Sequence, residues 1–233
     1  MSGLATPVVH DVPAAVGGGR APSRRLLPGA ATIGASAGAL ATWWLVATQA
    51  WVGRFDAVVL HEAAAERLPW LTPLVLRFTD LAGTTLLPGL VGAAVAVLAA
   101  VRRIRAAVAL TVALVGSAVL VFGTKLLAAR PRPPVSLMAG PVEQSFSFPS
   151  GHTTAATAVL IVGAALIARA AVRSVVRAAA WSAAVAGVAA VAASRVYLGY
   201  HWLTDVVAGT LLGAAVAALT LLLLPRRPAG VPW

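Results

Sequence analysis

Apolar residues run without a charge over 29–53, 81–101, 106–124 and 206–224, and over two shorter stretches at 153–168 and 178–194. At about 1.5 Å per helical residue, runs of this length suit the roughly 30 Å of hydrocarbon in a bilayer. The short pair is flanked by arginines or by polar residues able to sit at the interface while their stems complete the crossing. The pattern predicts six transmembrane helices. Gly and Ala crowd these runs, which lets helices approach closely in lipid, where packing replaces the hydrophobic drive between them.

Between the first two runs, "FDAVVLHEAAAERLPWLTPLVLRFTD" at 55–80 alternates apolar and polar residues at helical spacing and includes Trp70. It predicts one or two amphipathic helices lying on the membrane surface. His61 and Glu62 suggest a zinc helix only if a second histidine follows at 65, and that position is alanine. No metal is expected there. Residues 1–28, with "GGG" at 17–19 and scattered prolines, lack apolar periodicity and are expected to be a disordered cytoplasmic tail. The "SRRLL" at 23–27 fits a positive anchor better than a twin-arginine export signal, because the apolar run behind it is too long for a signal-peptide core. A single six-helix domain over 29–224 and a short cytoplasmic tail over 225–233 complete the layout. The expected fold class is all-α, a polytopic membrane helical bundle with an extracytoplasmic amphipathic segment.

Composition agrees, with 60% of the 233 residues hydrophobic and 18 Lys plus Arg against seven Asp plus Glu. There is no cysteine, so neither a disulfide nor a thiolate metal site is possible and the redox compartment stays undecided. The arginines set the orientation. With the N-terminus inside, one face receives Arg20, Arg24, Arg25, Arg102, Arg103, Arg105, Arg169, Arg173, Arg177, Arg226 and Arg227. The other receives Arg54, Arg67, Arg77, Lys125, Arg130, Arg132 and Arg195, with every acidic residue except Asp11. The richer face is expected to be cytoplasmic, with both termini on it, in a cell membrane. The net charge of +11 is then topology information and attraction to anionic lipid, and no nucleic-acid partner is expected.

Three polar clusters remain, and the orientation brings all of them out on the outer side. Lys125 ends the third run and leads into "KLLAARPRP" at 125–133; "PSGH" at 149–152 opens the fourth; Arg195 closes the fifth, and His201 and Asp205 open the sixth. Singly each has an ordinary structural role: snorkelling cations, a proline-stiffened loop, a helix N-cap at Ser150, and a pair four residues apart on one helix face. Together they make a polyanion site. The fourth helix offers N–H groups and its positive dipole end, Gly151 permits close approach of a ligand, and Arg132 and Arg195 can fork onto phosphate oxygens while Lys125 adds a compact charge. With no acidic cluster other than Asp205 nearby, nothing suits Mg²⁺ or Zn²⁺, so no metal or other cofactor is expected.

Lys-x6-Arg-Pro at 125–133, Pro-Ser-Gly-His at 149–152 and Ser-Arg-x5-His-x3-Asp at 194–205 resemble the three-part signature of the type 2 phosphatidic acid phosphatase, or lipid phosphate phosphatase, superfamily. The resemblance implies that His201 attacks phosphorus to become a phosphohistidine, that Asp205 orients it, and that His152 protonates the departing oxygen and then activates water. It further implies that Lys125, Arg132, Ser150, Gly151 and Arg195 hold the phosphoryl oxygens. The expected activity is metal-independent hydrolysis of a phosphorylated membrane lipid, such as a polyprenyl diphosphate, phosphatidylglycerol phosphate or phosphatidic acid, with the bilayer as the other partner. The alternatives are a phosphotransferase using the same phosphohistidine, or a catalytically silent lipid-binding protein. A transporter would place its charges at mid-span, whereas these lie at span ends.

Overall fold

The computed structural model describes residues 26–81, 83 and 86–223, and every regular element among them is helical. The elements are α1 (Leu26–Thr48), α2 (Ala50–Ala65), α3 (Thr72–Leu81), α4 (Leu86–Ala100), α5 (Ile104–Ala128), a 3₁₀ turn (Val135–Leu137), α6 (Gly151–Ala170), α7 (Ser174–Tyr197) and α8 (Leu203–Leu223). The expected tails at 1–28 and 225–233 fall, apart from the start of α1, outside the described residues.

Among the described residues, five helices are long and apolar enough to cross a membrane: Gly29–Thr48 within α1, then α5, α6, α7 and α8. The sixth crossing is of another kind. At 15 residues α4 covers only about 22 Å, too little alone, but with α3 it forms a pair bent by 43° that passes as one broken span. The chain is a multi-pass membrane protein, with five candidate spans among the described residues, or six if the bent pair is one.

The first run also departs from expectation, because its helix stops at Thr48. Gln49 is extended, with φ −113° and ψ 101°, and α2 then takes up 50–53. The break turns the chain so that Asp56 of α2 points inward, where it is wholly buried. The surface segment expected over 55–80 is two helices, α2 and α3, joined by a turn on which Trp70 is exposed.

Packing is inverted relative to a soluble bundle. On α5, Val108, Val112, Val115, Val119 and Phe122 form an outward stripe at spacings of four and three, while Ala107, Leu110, Ala113 and Ser117 face inward. Large apolar side chains thus meet lipid and small ones meet protein. The interior joins Val91, Leu110, Ala113, Ala158, Val162 and Val216 from α4, α5, α6 and α8. At Gly213 of α8 an added Cβ would stand 2.5 Å from the Thr154 carbonyl oxygen, so only hydrogen allows α8 to lie this close to α6.

Helix ends are set locally. Ala129, left-handed at φ 45°, stops α5 and returns its N–H to Lys125 O at 2.9 Å. Ser150 caps α6, accepting from Thr153 N at 3.5 Å and Thr153 Oγ1 at 3.0 Å. Gly38 of α1 faces Leu211 of α8, and Asp56 of α2, just past the C-terminal end of α1, meets Thr204 at the start of α8, so α1 and α8 run antiparallel and Leu26 and Leu223 lie at the same end of the bundle. At the opposite end lie the C-terminus of α5, the N-termini of α6 and α8, and the C-terminus of α7.

Candidate active site

Four segments that are far apart in sequence meet at that end. The loop from Ala129 to Pro149 folds over it, tied down by Ser147 N to Arg130 O at 2.9 Å and Ala139 N to Leu198 O at 3.0 Å. Arg67 anchors the same region, donating from Nε to Tyr197 O and from Nη2 to Leu137 O, both at 2.6 Å. The link between α7 and α8 turns at Gly199, whose φ is +76°. Tyr200 N and His201 N then both donate to Arg195 O, at 3.0 and 3.3 Å.

His201 follows in this link and is 1% exposed. It precedes α8 instead of sharing a helix face with Asp205, yet the pair meets: Nδ1 lies 3.4 Å from Asp205 Oδ2. With Nδ1 as the donor, Nε2 carries the lone pair, and Arg132 Nη1 donates to it at 3.3 Å. Burial pushes the imidazole down to about 4, against the opposing pull of the Asp205 carboxylate. The ring is neutral at physiological pH, with Nε2 facing the cations.

Arg132 is fixed on several sides, donating to Ser145 O at 2.6 Å, Ser145 Oγ at 2.9 Å and Tyr200 O at 2.7 Å. Arg195, also 1% exposed, donates to Thr79 Oγ1 at 3.1 Å and lies over the Tyr200 ring at 4.4 Å. Its Nε is buried without a hydrogen-bond partner among the described residues. A buried guanidinium N–H left over in this way is a donor available to a ligand oxygen. Lys125 donates to Ser145 Oγ at 3.1 Å and to Phe146 O, so it holds the loop as well as contributing charge. Gly151 opens α6, and the space a Cβ would take faces Val121 at 3.4 Å. His152 is partly exposed on the first turn of α6, within electrostatic reach of Arg195, Glu143, His201 and Arg132.

Glu143 is the residue that sequence reasoning missed. Its carboxylate bridges Arg132, at 2.7 Å, and Arg195. Burial alone would raise its pKa, but the two guanidinium groups outweigh burial and hold it below the usual carboxylate range. An internal oxyanion thus sits in the fork of two arginines beside His201 Nε2. Arg130, Asp56 and Ser147 were missed too: Asp205 Oδ1 accepts from Arg130 at 2.5 Å, and Oδ2 accepts from Ser147 Oγ and from Trp202 N at 3.0 Å. The weak available signals were an acid nine residues before His152 and an arginine two before Arg132.

A polytopic helical membrane protein with a buried histidine, its carboxylate partner and an arginine-rich oxyanion cradle at one membrane-proximal end is the class defined by fold and site. The chain belongs to the PAP2 superfamily, whose profile matches residues 106–229, more than half of its length and all three motif clusters. Among solved structures, the transmembrane PAP2-type phosphatidylglycerolphosphate phosphatase of Bacillus subtilis is similar at 26% identity and a TM-score of 0.74, over 81% of this chain and 93% of that one. LpxE of Aquifex aeolicus matches at 24% identity and a TM-score of 0.55, over 71% of this chain and 93% of that one, a likeness of fold. Comparison with curated protein sequences gives no match.

Proposed function

We propose that the chain is a lipid phosphate or diphosphate phosphatase that works through a phosphohistidine on His201. The observation that carries this reading is the Glu143 carboxylate clasped by Arg132 and Arg195 next to His201 Nε2, since a cradle that holds one oxyanion there suits phosphoryl oxygens. Family membership and the similar phosphatidylglycerolphosphate phosphatase support it. In this reading the substrate phosphate displaces Glu143. Arg132, Arg195 and Lys125 take its oxygens, with Ser150 and the Gly151 N–H at the positive end of α6. The Nε2 lone pair of His201 forms the bond to phosphorus as the bond to the lipid oxygen breaks, and Asp205 offsets the charge gained by the ring. His152 gives its proton to the departing oxygen, then takes one from the water that cleaves the phosphohistidine and releases inorganic phosphate.

The test is purified protein in detergent, given phosphatidic acid, phosphatidylglycerol phosphate and a polyprenyl diphosphate. Inorganic phosphate should be released from at least one of them. Phosphate appearing only on an added alcohol would replace the hydrolase by a transferase.

Metal independence follows from how the acids are engaged: Asp205 is bound by Arg130, Ser147 and His201, and Glu143 by two arginines. Cationic side chains thereby take the charge-stabilising role of a metal. Activity should survive excess chelator and be inhibited by vanadate, and loss in chelator reversed by Mg²⁺ would overturn this.

In this reading the site faces the extracytoplasmic side with both termini inside, an orientation that the arginine distribution supports. The chain lacks cysteine, so single cysteines report sidedness directly. A membrane-impermeant thiol reagent should label Gln144→Cys, an exposed position in the site loop, and spare Arg103→Cys in intact cells. The reverse pattern would invert the topology.

A further inference from the structure

Asp56 lies outside the three motif clusters and Arg130 at an unspecified position within the first, yet the two join Asp205 in one buried ionic group. Arg130 divides its fork: Nη2 donates to Asp56 Oδ2 at 2.7 Å, and Nη1 to Asp205 Oδ1 at 2.5 Å and Thr204 Oγ1 at 2.8 Å. Asp56 also accepts from Thr204 N at 3.0 Å and from Thr204 Oγ1 at 2.5 Å. The carboxylate from α2 thereby serves the first turn of α8, the turn that carries Asp205. Both acids are wholly buried, and the guanidinium lies over the Trp202 ring at 5.5 Å. Burial of two carboxylates around one arginine is expensive unless each is fully bonded, and here each is.

We propose that Asp56 and Arg130 are positioning residues for the His201–Asp205 pair: Arg130 holds Asp205 Oδ1 so that Oδ2 faces His201 Nδ1, and Asp56 holds Arg130. This rests on His201 being the nucleophile. The geometry leaves Asp205 little freedom, since Oδ2 is occupied by Ser147, Trp202 N and His201 while Oδ1 meets Arg130. The pair also sets the charge behind the nucleophile. Asp56, Arg130 and Asp205 sum to one negative charge next to a neutral ring. Without Arg130, two anions would stand there and favour a protonated His201. Without Asp56, Arg130 and Asp205 would cancel, and the loss of that one negative charge would disfavour it.

The other groups facing His201 are Arg195 from α7, His152 from α6, and Arg132 and Glu143 from the loop after α5; none of them changes in the variants proposed. The two substitutions therefore have opposite electrostatic signs, which a purely structural role would not produce.

The experiment measures kcat, KM and the acid limb of kcat/KM in detergent for wild type, Arg130→Met, Arg130→Lys, Asp56→Asn and the double variant Asp56→Asn/Arg130→Gln. Thermal unfolding is followed in parallel, and substrate ionisation is common to all five. Arg130→Met should lower kcat about 100-fold with a smaller change in KM, and move the acid limb upward by about one pH unit. Asp56→Asn should lower kcat and move the limb downward. Arg130→Lys, which keeps the charge but loses the fork, should lower kcat with the limb in place, and the double variant should bring the limb back toward wild type. Limbs that stay put in every variant, or move the same way in both single variants, would overturn the inference. Variants whose kcat falls only in step with lost folded protein would overturn it as well. Wild-type protein that hydrolyses lipid phosphate without forming acid-labile phosphoprotein would instead sink the phosphohistidine reading itself.

Discussion

His201→Ala should abolish turnover of every phosphate ester, a loss on the order of 10⁴-fold or more, because it removes the Nε2 lone pair that Arg132 holds at the arginine fork. His152→Ala should behave differently. A general acid is worth about 10²–10⁴-fold and only where the leaving oxygen needs a proton. With a lipid alkyl phosphate the first step should be strongly damaged; with nitrophenyl phosphate, whose leaving oxygen is a weak base, it should be damaged far less. Since His152 is also assigned to activate water, this variant should accumulate phosphohistidine after rapid mixing with the activated ester. His201→Ala should show no burst and no acid-labile phosphoprotein, and Asp205→Asn should lie between the two. Equal loss on both esters in His152→Ala with nothing trapped, together with a burst in His201→Ala, would require the two roles to be exchanged.

Gly199→Ala should disrupt the site from outside the chemistry. The backbone there has φ +76°, a conformation that costs an L residue about 1–3 kcal/mol on its own. A Cβ would also stand 2.0 Å from Leu137 O and 2.9 Å from Arg67 Nη2. Arg67 cannot simply yield, since its Nη2 is the donor that binds Leu137 O and its Nε holds Tyr197 O. The link carrying Tyr200 and His201 would have to leave the 137–139 segment. Midpoint unfolding in detergent is expected to fall by on the order of 10 °C, or folded protein to be lost. An unchanged midpoint would mean that this link moves freely, and that the tight packing of His201 does not depend on it.

Much of the membrane architecture is a local property of the sequence. Runs such as 106–124 and 206–224 are apolar at every turn, and in a bilayer such a run has no better option than a helix, so α5 and α8 appear within a few residues of expectation. The α6 start is equally local, since Ser150 needs only its own next turn to act as a cap. That Lys125, Arg132, Ser150, Gly151, His152, Arg195, His201 and Asp205 would gather at one end of the bundle was legible because they lie in short segments at span ends.

What the tertiary structure decided is the pairing of charges and the breaks that permit it. In sequence, Asp56 is one acid in an amphipathic stretch and reads as solvated; only the approach of α2 to α8 buries it against Arg130 and Thr204. That approach requires the break at Gln49, which a count of apolar residues passes over because every residue from 29 to 53 is uncharged. Glu143 reads as a loop residue until the fold sets Arg132 and Arg195, 63 positions apart, on either side of it. Hydropathy measures the cost of moving one residue out of water. The partner that offsets that cost for a buried charge comes from elsewhere in the chain and is fixed only when the helices pack.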